Sequence, residues 1–283
     1  MAKTTVIIMV DGFDPEYLDY CPTSNLRSLA TQGFMTEARA MMPTVTNVNN
    51  VSLITASYPE VHGITSNYWL NRETGEEAYM ESGDYVLAET MFQRAGKNGA
   101  RSLLVTAKDK LRRLLGDGAT LSVSSEEAPQ WVVEGVGEPP PIYSLEVNEW
   151  VIDAGRFILS QEHYDLVYLT TTDYAMHTYA PEDPESSRHL ALLDEAIGRL
   201  VESLPDVQLL LTADHGMSSK DRLVHLPAEL APHGIQAQAV PIIKDRYTVH
   251  HSNLGGCIYL YLGDGEIDQA LAVLRQVDGV DQA

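Results

Sequence analysis

Four short apolar runs, separated by segments of helical periodicity, restrict this 283-residue chain more than any other feature. They are Val6–Val10, Ser102–Thr106, Leu166–Thr170 and Val207–Thr212, and each is nearly continuous in apolar or β-branched residues. A strand half open to water alternates apolar and polar residues, so runs of this kind belong in a sheet covered on both faces. Between them, apolar residues recur at three- and four-residue spacing in 24–32, 86–95, 147–160 and 184–204. In the last segment Leu190, Leu193, Ile197, Leu200 and Val201 form one stripe, as an amphipathic helix requires. Strand and helix in alternation imply right-handed βαβ units. The expected fold class is therefore α/β, a mainly parallel sheet sandwiched by helices in one domain over residues 1–283. Residues 126–142, with Pro129 and three consecutive prolines from Pro139, read as an irregular connection.

Charge narrows the function classes. Nineteen basic residues against 40 acidic ones leave a formal net charge of −21, which disfavours nucleic acid and anionic membrane surfaces. No apolar run approaches the ~18 residues of a membrane span, and the start lacks the long apolar stretch of a signal peptide. Two cysteines, Cys21 and Cys257, are too few for a disulfide framework. The expectation is a soluble, globular, cytoplasmic protein. The sequence is silent on oligomeric state, and a homodimer is compatible with it.

Three of the runs lead into an aspartate: Asp11, Asp173 and Asp214. Ligands of an open parallel sheet bind beyond the carboxyl ends of its strands. Three carboxylates at one edge repel each other unless a cation lies between them; the ordinary alternative is that each caps a helix. Asp173 and His177 stand at i and i+4, one face of a helical turn. Asp214 and His215 are adjacent, and His250-His251 follows another β-like run, 246–249. Oxygen and nitrogen donors without thiolate suit zinc and tolerate manganese or iron. The segment from Pro43 to Asn50, rich in Thr and Asn, either caps a helix or presents a hydroxyl nucleophile at a helix start, where a metal ion can deprotonate it.

In this order, Asp11, the Thr46 region, Asn67, Asp173/His177, Asp214/His215 and a late histidine resemble the alkaline phosphatase superfamily. Residues 49–55 and 58–64 are similar to the signature of its nucleotide pyrophosphatase/phosphodiesterase branch. Residues 43–47 and 106–111 most resemble the phosphonoacetate hydrolases. The resemblance implies two divalent metal ions, zinc foremost with manganese or iron as alternatives. Asp173, His177 and His251 would hold the first, with His250 the alternative late ligand. Asp11, Thr46, Asp214 and His215 would hold the second. Thr46, rather than Thr44, would be the nucleophile, and Asn67 would donate to a non-bridging oxygen. Lys108 and Lys110 would meet the substrate's carboxylate, unless they open a solvated basic helix. The implied activity is hydrolysis of the carbon–phosphorus bond of phosphonoacetate to acetate and phosphate, with a phosphodiesterase or nucleotide pyrophosphatase on the same core as the alternative. Only 36 residues separate His215 from His251, so the cap insertion expected around 216–249 is short. The chain ends directly after a helix, where the resemblance implies further sheet, so a C-terminal truncation is expected.

Overall fold

The structure is a computed structural model that describes residues 3–220, 222–243 and 255–283. Contacts divide the chain into two compact units, Met1–Ile64 with Glu81–Met217, and Thr65–Met80 with Ser218–Ala283. The first unit opens with β1 (Thr5–Val10), α1 (Tyr17–Tyr20), α2 (Ser24–Gln32), α3 (Thr46–Thr55) and α4 (Pro59–His62). Two strands of the second unit follow, β2 (Tyr68–Leu70) and β3 (Glu77–Tyr79). The first unit resumes with α5 (Met91–Lys97), β4 (Ser102–Thr106), α6 (Asp109–Leu115), β5 (Leu121–Ser124) and α7 (Gln130–Val136). It closes with α8 (Val147–Gln161), β6 (Leu166–Thr170), α9 (Tyr174–Thr178), α10 (Pro184–Ser203) and β7 (Gln208–Ala213). The second unit ends in α11 (Leu226–Leu230), β8 (Ala237–Pro241), β9 (Ile258–Leu262) and α12 (Ile267–Leu274).

The first unit is built on a five-stranded sheet in the order β5-β4-β6-β1-β7, parallel at every pairing. Helices flank both faces, as the unbroken apolar runs require. Val6, Ile8 and Val10 of β1 pack with Val167 and Leu169 of β6 and with residues of α8 and α10, including Val151, Ile158, Leu193 and Ile197. The alternate residues serve the opposite face, where Tyr168 meets Phe92 of α5 edge-on, 6.4 Å between centroids. Register carries the chemistry: Met9 pairs with Thr170, and Val10 with Ala213. The adjacent strands β6, β1 and β7 therefore finish nearly level, and the residues just beyond them emerge together.

Three local expectations are corrected. The helix expected over 86–95 begins later, because Thr90 and Gln93 form a reciprocal capping box that sets its start. The stretch 126–142 is not wholly irregular, since α7 forms within it and buries Val132 in the core. And among the described residues β7 is a half-exposed edge strand, paired on one side only, with Leu210 46% exposed.

In the second unit β2 and β3 pair antiparallel, as do β8 and β9. The described residues of the expected insertion from Ser218 onward fall in this unit. Among the described residues no helix is long and apolar enough to cross a membrane.

One buried histidine ties the core to the loop after β6. His189 is 1% exposed, with Nδ1 3.0 Å from the Leu145 carbonyl and Nε2 3.4 Å from Asn148 Nδ2. A carbonyl only accepts, so Nδ1 carries the proton and Nε2 accepts from the amide. Asn148 in turn donates to the Thr172 carbonyl and accepts from its N–H. Burial holds the His189 pKa below its ordinary 6.5, outweighing the Leu145 hydrogen bond and the Glu146 charge. The unfolded chain thus takes up this proton first as pH falls, and stability present above about pH 6.5 is lost progressively below it. Lowering the pH from 7.5 to 5.5 should depress the wild-type Tm more than that of His189→Gln. Parallel Tm–pH curves would remove His189 from the account.

Candidate active site

Asp11, Asp173 and Asp214 come together at the carboxyl edge of the sheet, and none behaves as a simple helix cap. Asp173 stands at the N-cap position of α9 but makes no side-chain cap bond. Asp214 Oδ1 instead accepts the Gly12 N–H at 3.1 Å and the His215 N–H at 2.9 Å. Gly12 makes this approach with a φ of +73°, and a Cβ there would lie 3.1 Å from that of Asp173, so glycine answers to both backbone and space. The Asp11 N–H donates to Thr171 Oγ1 at 2.9 Å, which seats Asp11 against β6.

The cluster is short of positive charge. Asp11 Oδ2 and Asp214 Oδ2 are buried and meet no donor among the described residues. His215 Nδ1 lies 3.0 Å from the Gly216 carbonyl and must donate to it, so the neutral ring offers a lone pair at Nε2. That nitrogen lies 3.6 Å from Asp11 Oδ1 and 3.6 Å from Asp214 Oδ2. Ligand atoms of Asp11, Asp173 and His215 all fall within 4.8 Å of one another. Lone pairs converging from oxygen and nitrogen, two of the oxygens without a donor among the described residues, fit a divalent cation. The grouping draws Asp173 from one of the two ligand sets expected from sequence and Asp11 and His215 from the other.

Electrostatics follow the same geometry. Burial, then the Asp173 and Asp214 charges, push Asp11 well above the usual carboxylate range. Burial likewise raises Asp214, with His215 and the Gly12 N–H opposing. Burial would lift Asp173 too, but the His177 hydrogen bond and the Lys108 ammonium outweigh it and hold it well below. The one-turn spacing is realised in α9: His177 Nε2 lies 2.8 Å from Asp173 Oδ2.

Thr46 is the first residue of α3, behind Val45, which has no side chain able to cap. Its Oγ1 points at Asp11 Oδ1, 3.5 Å away. Lys108 and Lys110 are 8% and 6% exposed, so neither lies on a solvated helix face. Lys108 is extended just before α6, with Nζ 3.7 Å from Asp173 Oδ1. Lys110 lies within the first turn of α6, so the two lysines straddle the entry into that helix. Asn67 belongs to the second unit, 7% exposed, with its backbone bonded to Ile242 and Met80. His250 and His251, with the run 246–249, lie outside the described residues. Sequence reasoning singled out neither Gly12 nor Thr171; the Asp11-Gly12 turn was their only signal.

The chain matches the model of the type I phosphodiesterase/nucleotide pyrophosphatase family over residues 5–281. Phosphonoacetate hydrolase from Sinorhizobium meliloti 1021, solved with phosphonoacetate, superposes with a TM-score of 0.88 at 32% identity, covering 98% of this chain and 74% of that one. Human ectonucleotide pyrophosphatase/phosphodiesterase family member 7 is 28% identical over 233 residues, 77% of this chain and 48% of its own. An uncharacterized pyrophosphatase/phosphodiesterase of Schizosaccharomyces pombe is 25% identical over 249 residues, 79% of this chain and 47% of its own. The chain thus spans about half the length of these curated relatives. It belongs to the type I phosphodiesterase/nucleotide pyrophosphatase family of the alkaline phosphatase superfamily.

Proposed function

We propose that this chain is a metal-dependent hydrolase in which Thr46 attacks phosphorus, and that its substrate is phosphonoacetate or a close relative. The observation that carries this reading is the Thr46 hydroxyl, aimed at Asp11 inside a cluster of carboxylates in which Asp11 Oδ2 and Asp214 Oδ2 meet no donor among the described residues. Asp173, His177 and His251 would hold one divalent ion; Asp11, Thr46, Asp214 and His215 would hold the other. Zinc is the first candidate for this donor set. Bound there, the ions supply Lewis acidity, which lowers the pKa of a hydroxyl or water and neutralises the substrate's phosphoryl oxygens.

The chain's own residues do the rest. Thr46 Oγ forms a bond to phosphorus as the carbon–phosphorus bond breaks, and the bonding pair leaves on the acetate carbon, which takes a proton. Water then cleaves the phosphothreonine to phosphate and restores the hydroxyl. The Lys108 and Lys110 ammoniums are the groups suited to the substrate's carboxylate, where they also favour charge leaving toward it. The relative solved with phosphonoacetate supports this choice. The curated relatives named as phosphodiesterases support the second reading, a diester substrate on the same core.

Phosphate release from phosphonoacetate, measured beside bis-p-nitrophenyl phosphate hydrolysis, separates the two. With zinc or manganese supplied, the wild type should release phosphate. Lys108→Ala and Lys110→Ala should each lose roughly 10–100-fold in kcat/KM on phosphonoacetate, as for a lost charged contact, and much less on the diester. Diester cleavage alone would overturn the phosphonate assignment in favour of a phosphodiesterase.

A further inference from the structure

The nucleophile's helix is held from within the core by a side chain that its spacing did not single out. Asn50, one turn along α3 and fully buried, donates from Nδ2 to the Thr46 carbonyl at 3.0 Å. Its Oδ1 accepts from the Tyr168 hydroxyl at 2.9 Å and the Thr170 hydroxyl at 3.3 Å. Because the Thr46 carbonyl only accepts, the amide has one orientation, nitrogen toward the helix and oxygen toward β6. Tyr168 and Thr170 are themselves fully buried in the centre of the sheet.

A buried asparagine in a helix interior ordinarily needs no more than some partner for each polar atom. Here all the partners lie on two elements that must be in register for chemistry. β6 continues through Thr171, which accepts the Asp11 N–H, and on to Asp173. Asn50 therefore joins the backbone of Thr46 to the strand that seats two of the carboxylates. A nucleophile misplaced by ~1 Å can cost ~100-fold in rate.

We propose that Asn50, oriented by the Tyr168 hydroxyl, is a positioning residue that fixes the Thr46 hydroxyl against Asp11 for attack on phosphorus. The proposal rests on Thr46 being the nucleophile. It is tested with Asn50→Leu, Tyr168→Phe and the double variant, on whichever of the two substrates the wild type turns over. Asn50→Leu should lower kcat ~100-fold and Tyr168→Phe ~10-fold, with KM within about twofold of wild type. The double variant should be no slower than Asn50→Leu, because both changes break one linkage. Hydrogen exchange of a peptide covering residues 43–50, followed in metal-free protein, should speed up at least ~10-fold in Asn50→Leu while peptides from β1 and β4 keep their rates. Multiplying rather than shared losses, or unchanged exchange with kcat within twofold of wild type, would overturn the proposal. If Asn50→Leu does not fold, Tyr168→Phe, which keeps the ring against Phe92, decides by the same two readouts. Full turnover in Thr46→Ala would overturn the nucleophile assignment and this proposal with it. An inactive Thr46→Ala beside an unaffected Asn50→Leu would overturn the positioning role alone.

Discussion

Replacing Thr46 with alanine should cut turnover by at least ~1000-fold even with zinc or manganese in excess, as removal of a nucleophile does in other covalent mechanisms. Thr46 begins α3, and its helix start is capped by no side chain, so losing the hydroxyl removes no cap bond. The backbone is held separately, by Asn50 on the Thr46 carbonyl. Folding should therefore survive, and with Asp11, Asp214 and His215 left to hold the second ion, a loss in kcat that excess metal does not restore would point to the Oγ as nucleophile. Thr46→Ser, which keeps the oxygen but frees its rotamer, should fall within ~10-fold of wild type. Steady-state kinetics with metal content measured on the same samples checks both. Wild-type kcat in Thr46→Ala would sink the assignment.

The central sheet was legible because burial on both faces demands unbroken apolar runs, and β1, β4 and β6 have them. β5 was not, since Leu121–Ser124 is half serine and its place depends on pairing with β4 rather than on its own pattern. The three-residue strands β2 and β3 are too short to show a period. α7 was hidden by the prolines on either side of it, although Pro129 sits at its N-cap position, just ahead of the first turn. In the site, the aspartates were visible by position, each just past a strand. What the sequence could not show is how they group. Asp11 lies with both Asp173 and His215 because β1 lies between β6 and β7, a matter of strand order. Asn50 was invisible for a related reason: its role exists only once α3 is laid across β6.

That crowding makes the site expensive to the metal-free fold and predicts opposite effects of one substitution. Asp214→Asn should raise the Tm of metal-free protein by several degrees and diminish the further rise that zinc or manganese gives the wild type, because one of the two proposed ions loses a ligand. Asp214 Oδ1 already accepts two backbone N–H groups, and an asparagine oxygen can keep both. At Oδ2, now buried without a donor, an amide would instead place N–H groups beside Asp11 and relieve its repulsion. For a chain of this length ~1 kcal/mol of relief corresponds to ~2–4 °C. The same exchange removes a charged ligand from the cluster. An ion present at ~1000 times its dissociation constant stabilises the wild type by ~4 kcal/mol, and the variant should forgo the share that belongs to the ion Asp214 would hold. Thermal melts of both proteins, each with a chelator and with added metal, read the two effects separately. A metal-free variant less stable than the wild type would show that the carboxylates are not strained by one another. An undiminished metal shift would place Asp214 outside the ligand set. If both effects appear, the three aspartates are retained against the interest of the fold, and the cation that reconciles them is the reason they stand at the ends of adjacent strands.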